Sequence, residues 1–251
     1  CSLSVEFKNV SFKYPKSDSF CLENICFSIK PGEKVALVGK NGSGKSTIAK
    51  LLLRQYIPSS GDIHINGIDV RELNIESFHS RLSILVQNFS LFEHLTIEEN
   101  IKFGVPRLIE HEEMISAAKQ SGAHEFIAKL KNGYQQRLMN TYDDGVQLSG
   151  GELQRVSLAR CFARGADFFV LDEPTSAIDA KGEEEIFSQI FELFDDKSAL
   201  IISHRFSTVR KADRIIVLDG GSIVETGSHE ELIRNGGLYM EMFELQASGY
   251  R

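Results

Sequence analysis

Five apolar runs punctuate the chain: KVALV (34–38), SILV (83–86), DFFVLD (167–172), SALIIS (198–203) and RIIVLD (214–219). Within them apolar residues are continuous instead of alternating with polar ones. This predicts strands buried on both faces, as in a parallel sheet flanked by helices. Residues 3–38 follow a different pattern: SVEFKNVSF alternates, CLENICFSI follows, and KPGEK makes a turn, which predicts short strands. IAKLLLRQ, ELQRVSLARCF and EIFSQIFELF have helical spacing. The segment 94–160 is mostly helical in pattern and opens near a capping box, Thr96 to Glu99. It forms a helical lobe inserted between the strands SILV and DFFVL. The pattern as a whole predicts an α/β protein.

Composition narrows the function classes. The 251 residues are 42% hydrophobic and 25% charged, which suits one large domain or two small lobes. The net charge is −7 and no basic block stands out, so neither a nucleic-acid groove nor a membrane-surface helix is indicated. Cys1, Cys21, Cys26 and Cys161 make no disulfide or metal framework and are expected as thiols in a reducing compartment. No apolar run approaches the roughly 18 residues of a membrane helix, and no signal peptide is visible. The first residue is cysteine, and the expectation is a soluble piece of a longer protein, or a processed chain.

Polar residues cluster just past the apolar runs: Gly39 onward after KVALV, Gln87 after SILV, Asp172 and Glu173 after DFFVL, His204 after SALIIS. Ligands bind at the carboxyl ends of strands in open α/β sheets. GKNGSGKST, from Gly39 to Thr47, fits G-x-x-x-x-G-K-[ST], with a strand before it and a helix after it. Gly39, Asn41, Gly42, Ser43 and Gly44 provide a backbone that can wrap phosphates. Lys45 provides a charge for the β and γ phosphates, Ser46 a ligand for Mg²⁺, and Thr47 lies at the helix start. The plainer alternative, a glycine-rich turn with a chance lysine, ignores the flanking strand and helix. Asp172 can hold Mg²⁺ through its water shell, and Glu173 can orient or deprotonate the attacking water. Alone, the two carboxylates would read as caps on the turn PTSAID.

The stretch QLSGGELQR, Gln147 to Arg155, poses a separate question. Ser149 and Glu152 have capping-box spacing, but a cap does not need Gly150 and Gly151, each costing about 1 kcal/mol against alanine in a helix. With the phosphate loop, LSGGE and an Asp-Glu strand end in that order, the chain resembles the nucleotide-binding domain of ATP-binding cassette (ABC) transporters over nearly its whole length. LSGGE matches the family signature LSGGQ.

The resemblance implies a P-loop NTPase (RecA-like) core, an N-terminal antiparallel β subdomain and an inserted α-helical subdomain. Residues 1–88 and 161–251 would form the β subdomain and core, and 89–160 the helical subdomain. It implies an ATP hydrolase that uses ATP and Mg²⁺ and pairs head to tail with a second copy of itself. Ser149, Gly150, Gly151 and Glu152 would then face the ATP held by the partner, and the missing side chains would admit its γ-phosphate. Tyr14, in VSFKYP, matches the aromatic that stacks on adenine; a packed strand tyrosine is the alternative. Gln87 matches a residue at Mg²⁺ or the attacking water, and Asp179, in SAID, a loop at the dimer interface. His204, in ISHR, matches the switch histidine at the γ-phosphate. His64, His79, His94, His111, His124 and His229 are read as surface or packing residues.

VSFKYP, ISHR and DGGSIVETGSHEELI lean towards the export branch, and Ser228 to Glu231 is a further capping box. That branch implies a preceding transmembrane domain on the same full-length chain, with this domain at the cytoplasmic face of a membrane. An importer ATPase and a soluble switch ATPase are the alternatives. Importers usually carry an extra C-terminal domain or lack FKYP and ETGSHEEL; switches carry two cassettes or a coiled-coil insertion. Three departures stand out: Glu152 ends the signature, MNTYDDG (with Asp143) replaces TEVGERG, and LFEHLTIEENI has one extra residue. Glu152 is expected to fold back onto the Ser149 backbone.

Overall fold

The alternation in SVEFKNVSF becomes strand β1 (Val5–Phe12), which buries Val5, Phe7, Val10 and Phe12. The step from Phe7 to Val10 breaks strict alternation. Asn9 accounts for it, because its φ of 48° marks an irregularity in the register with both neighbours. The computed structural model describes residues 2–85, 91–138, 145–173, 187–188, 191 and 196–249. β1 pairs antiparallel with β2 (Leu22–Ile29) and with β4 (Ser60–Ile65), which turns into β5 (Ile68–Asp69). Asn66 and Gly67, with φ of 51° and 80°, make that turn; an Asn-Gly pair is suited to the left-handed conformations of a tight hairpin.

The predicted buried runs form a second sheet. β3 (Lys34–Gly39) lies parallel to β8 (Ser198–Ile202) on one side and β9 (Arg214–Asp219) on the other, and β7 (Phe168–Asp172) lies parallel to β8. β9 turns antiparallel into β10 (Ser222–Gly227) through Gly220 and Gly221. Helix α1 (Lys45–Leu52) packs Ile48, Leu51 and Leu52 into a core shared with Leu37, Phe168, Leu200 and Ile216. Each such side chain contributes roughly 1.5–3 kcal/mol by leaving water. A second cluster covers Ala36 and Val38 with Phe206 and Val209 of α7 (Phe206–Val209), Leu232 of α8 (His229–Asn235) and Tyr239 of α9 (Leu238–Gly249).

The chain divides into two compact units, one of Cys1–Leu82, Asp167–Asp172 and Phe194–Arg251, the other of Ser83–Ala166 and Glu173–Leu193. Helix α2 (Ile75–Ser80) belongs to the first, and β6 (Leu82–Leu85) leads into the second. The second contains α3 (Ile97–Lys102), α4 (His111–Gln120), α5 (His124–Ile127) and α6 (Gly150–Ala163). Its own core joins Ile97, Ile101, Met114, Ala117, Val156 and Ala159. A four-stranded antiparallel sheet and a six-stranded, mainly parallel sheet are the architecture that the resemblance implies.

Several elements differ from the pattern reading. β4, β5 and β10 carry no long apolar run, since one face of each meets solvent. α1 begins at Lys45 and ends at Leu52 instead of running to Gln55, because Arg54 takes a left-handed φ of 54°. Most of EIFSQIFELF lies outside the described residues; its described members, Phe187, Ser188 and Phe191, are helical.

Candidate nucleotide site

Two glycines set the shape of the loop between β3 and α1. At Gly39, φ is 151°, and a Cβ there would collide with the Leu218 carbonyl oxygen and the Ser43 hydroxyl. Gly44 is the N-cap of α1 at φ 103°, where a Cβ would strike Leu22. A glycine cap gives α1 no side-chain cap, and its first turn holds no acid. Amides at a helix start without such a cap are suited to an anion. The Lys45 ammonium donates to the carbonyls of Gly39 (2.7 Å) and Lys40 (2.9 Å), which holds its charge over the loop. Asn41 and Gly42 are exposed, whereas Ser43 and Thr47 are buried.

Tyr14 is tied to this loop. Its hydroxyl lies 3.0 Å from Thr47 Oγ1, and its ring meets Phe12 and Tyr56 edge-on at 5.0 and 5.3 Å. Cys21 Sγ also lies 3.3 Å from Thr47 Oγ1, a neighbour that no motif marks.

Asp172 ends β7, one strand removed from β3, and Ser46 Oγ donates to its Oδ2 at 3.3 Å. Two of the three residues expected to serve Mg²⁺ are thus brought together by elements 126 positions apart. Two hard oxygen donors are a set that fits Mg²⁺, which takes one or two protein ligands plus substrate oxygens and waters. Among the described residues, no group of three or more His, Cys, Asp or Glu could hold a metal by itself.

The next residue, Glu173, has φ 50°, a left-handed conformation that costs a non-glycine residue roughly 1–2 kcal/mol. Its carbonyl accepts from the Gln154 side chain at 3.5 Å, and Gln154 is buried in α6. Sequence pattern missed both features; a buried glutamine within the signature helix was the available signal. His204 follows β8 and is exposed.

The signature builds the expected capping box. Ser149 is the N-cap of α6; its Oγ accepts from the Glu152 amide (3.3 Å), while Glu152 Oε2 accepts from the Ser149 amide and hydroxyl, both at 2.8 Å. The Glu152 carboxylate is therefore turned back onto the cap, with exposed Gly150 and half-buried Gly151 in the first turn. The boxes at Thr96–Glu99 and Ser228–Glu231 also form. Three of the other histidines are hydrogen-bonded: His79 at the Leu53 carbonyl, His124 at the Tyr134 hydroxyl and His229 at the Tyr239 hydroxyl. Gln87, Asp143 and Asp179 lie outside the described residues.

Comparison with known proteins gives a consistent result. The family model described as ABC transporter matches residues 22–176. ABC transporter B family member 26, chloroplastic, of Arabidopsis thaliana is 42% identical over 247 residues, covering 96% of this chain and 34% of the relative. An ATP-dependent lipid A-core flippase of Vibrio vulnificus is 41% identical over 242 residues, covering 96% of this chain and 41% of the relative. A solved structure of a bacterial Atm1-family ABC exporter with ATP bound superposes with a TM-score of 0.91 at 39% identity, over 98% of this chain and 42% of that one. The chain thus spans well under half the length of each.

Proposed function

This chain belongs to the ABC transporter family, and we propose that it is the ATP-binding and ATP-hydrolysing motor domain of an exporter. The observation that carries the reading is the phosphate loop 39–47 between β3 and α1, with Ser46 hydrogen-bonded to Asp172. The similarity to flippases and exporters, all longer than this chain, favours export over import.

In the proposed mechanism, the Gly39–Thr47 backbone and Lys45 bind the ATP phosphates, with the α1 N-terminus adding its partial positive charge. Tyr14 stacks on the adenine. Ser46, Asp172 and Gln87 would hold Mg²⁺, which supplies charge neutralisation at the phosphates. Glu173 orients the attacking water and takes its proton, while His204 contacts the γ-phosphate. Asp179 lies at the interface between copies. Ser149, Gly150, Gly151 and Glu152 belong to the second copy's contribution to each site. Cleavage removes the γ-phosphate that joins the copies, so they part, and the cycle moves a transmembrane domain on the full-length chain. The domain then works at the cytoplasmic face of a membrane; among the described residues no helix is long and apolar enough to cross one.

The test is the solution mass of Glu173→Gln with and without ATP and Mg²⁺. The expected result is a monomer that becomes a dimer only with both, with turnover reduced by about 10²–10⁴-fold. Wild-type turnover in this variant would remove Glu173 from its role. A monomer that binds ATP without pairing would argue against the head-to-tail arrangement in this chain.

A further inference from the structure

We propose that Gln246 in the terminal helix α9 is a positioning residue for His204, gripping the backbone of its loop at His204 and at Phe206. This rests on the reading of His204 as the γ-phosphate contact. The grip is a single amide used twice: Gln246 Nε2 donates to the His204 carbonyl at 3.0 Å, and Gln246 Oε1 accepts from the Phe206 amide at 2.9 Å. A side-chain amide holds its donor and acceptor in one plane, so the two bonds together fix the span from His204 to Phe206. The second bond also satisfies one of the amides that the start of α7 leaves without a helical partner; Arg205, its N-cap, makes no side-chain cap hydrogen bond to that helix start.

The helix that carries Gln246 is itself anchored. Tyr239, Met242, Phe243 and Gln246 are spaced i, i+3, i+4 and i+7, which puts them on one face of α9. Tyr239 is fully buried, its hydroxyl meets His229 Nδ1 at 2.8 Å, and its ring packs edge-on against Phe206 at 5.1 Å. Phe243 adds a contact to Phe206 at 5.4 Å. The aromatic contacts fix where α9 sits against the loop, and Gln246 adds direction. On the inner side of the loop, Ser203 is buried and its hydroxyl accepts from the Arg205 amide at 3.0 Å. The exposed His204 side chain therefore projects from a backbone held on both flanks, and the outer hold comes from a helix 42 residues away in sequence.

The experiment measures kcat, KM for ATP and Tm of Gln246→Leu and Gln246→Glu in the full-length protein, each also in a His204→Ala background. The glutamate variant keeps an acceptor for the Phe206 amide but sets an oxygen against the His204 carbonyl. The expected result is a fall in kcat of about tenfold in both, with KM and Tm near wild type and no further loss once His204 is alanine. Wild-type kcat in both variants overturns the inference. So does an equal loss with or without His204, or a kcat loss that tracks a falling Tm in both. His204→Ala turning over like wild type would instead overturn the reading of His204 and the inference with it.

Discussion

The Asp69 carboxylate, on β5, is hydrogen-bonded by Arg71, which brings its pKa down from the ordinary 3.8 to about 2. Because the folded-state value is depressed, the ionised form favours folding. That contribution is complete above about pH 4 and fades as pH falls towards 2. Asp69→Asn should therefore lower the denaturant midpoint at neutral pH and match wild type only below about pH 2; a pH-independent difference would refute the ion-pair account. Burial acts in the other direction on Cys161, pushing its thiol up to about 11. At this scale the strand–loop–helix turn at 39–47 was legible, because its glycines and lysine are local chemistry. The left-handed Glu173 was not, since it depends on how the chain leaves a strand. Ser46 and Asp172 were each read as Mg²⁺ ligands from their motifs, but their direct hydrogen bond joins residues that only the sheet brings together.

Helix starts were the most legible elements: all three capping boxes formed where four-residue spacing placed them. In α6 the cap and the proposed ligand contact use the same serine. Ser149→Ala should cost about 1 kcal/mol in α6 stability, read by denaturant unfolding, besides weakening pairing of the two copies. Glu152→Gln should keep the box, since a glutamine can also reach back to the Ser149 amide. Its ATP-driven dimerisation should stay within about tenfold of wild type, equivalent to ~1.4 kcal/mol. Tightening by orders of magnitude would mean the Glu152 carboxylate repels the ligand instead of serving the cap. Edge elements were the least legible. In β4 and β5 the better signal was the Asn66-Gly67 turn between Ile63 and Ile68, not hydrophobic runs.

At the scale of the whole molecule, each unit has its own core, one built on Leu37, Phe168 and Ile216 and the other on Ile97, Met114 and Val156. Met114 is fully buried in the second, and Met114→Ala should cost about 2–5 kcal/mol there. Amide hydrogen exchange should quicken in α3, α4 and α6 while β3, β8 and β9 keep most of their protection; an equal loss in both would mean that they open together. The inserted helical lobe was visible in the spacing of apolar residues, but its second stretch was not, because it begins only after Asp172. The backbone passes from one unit to the other between Leu82 and Ser83, returns for Asp167–Asp172, leaves again at Glu173 and comes back at Phe194. A gene exchange that transplanted only residues 83–166 from a relative would thus import part of the helical unit and leave the recipient's 173–193 to complete it. Crossovers that respect this protein must come in two matched pairs, so its halves are inherited as interleaved text and not as separable cassettes.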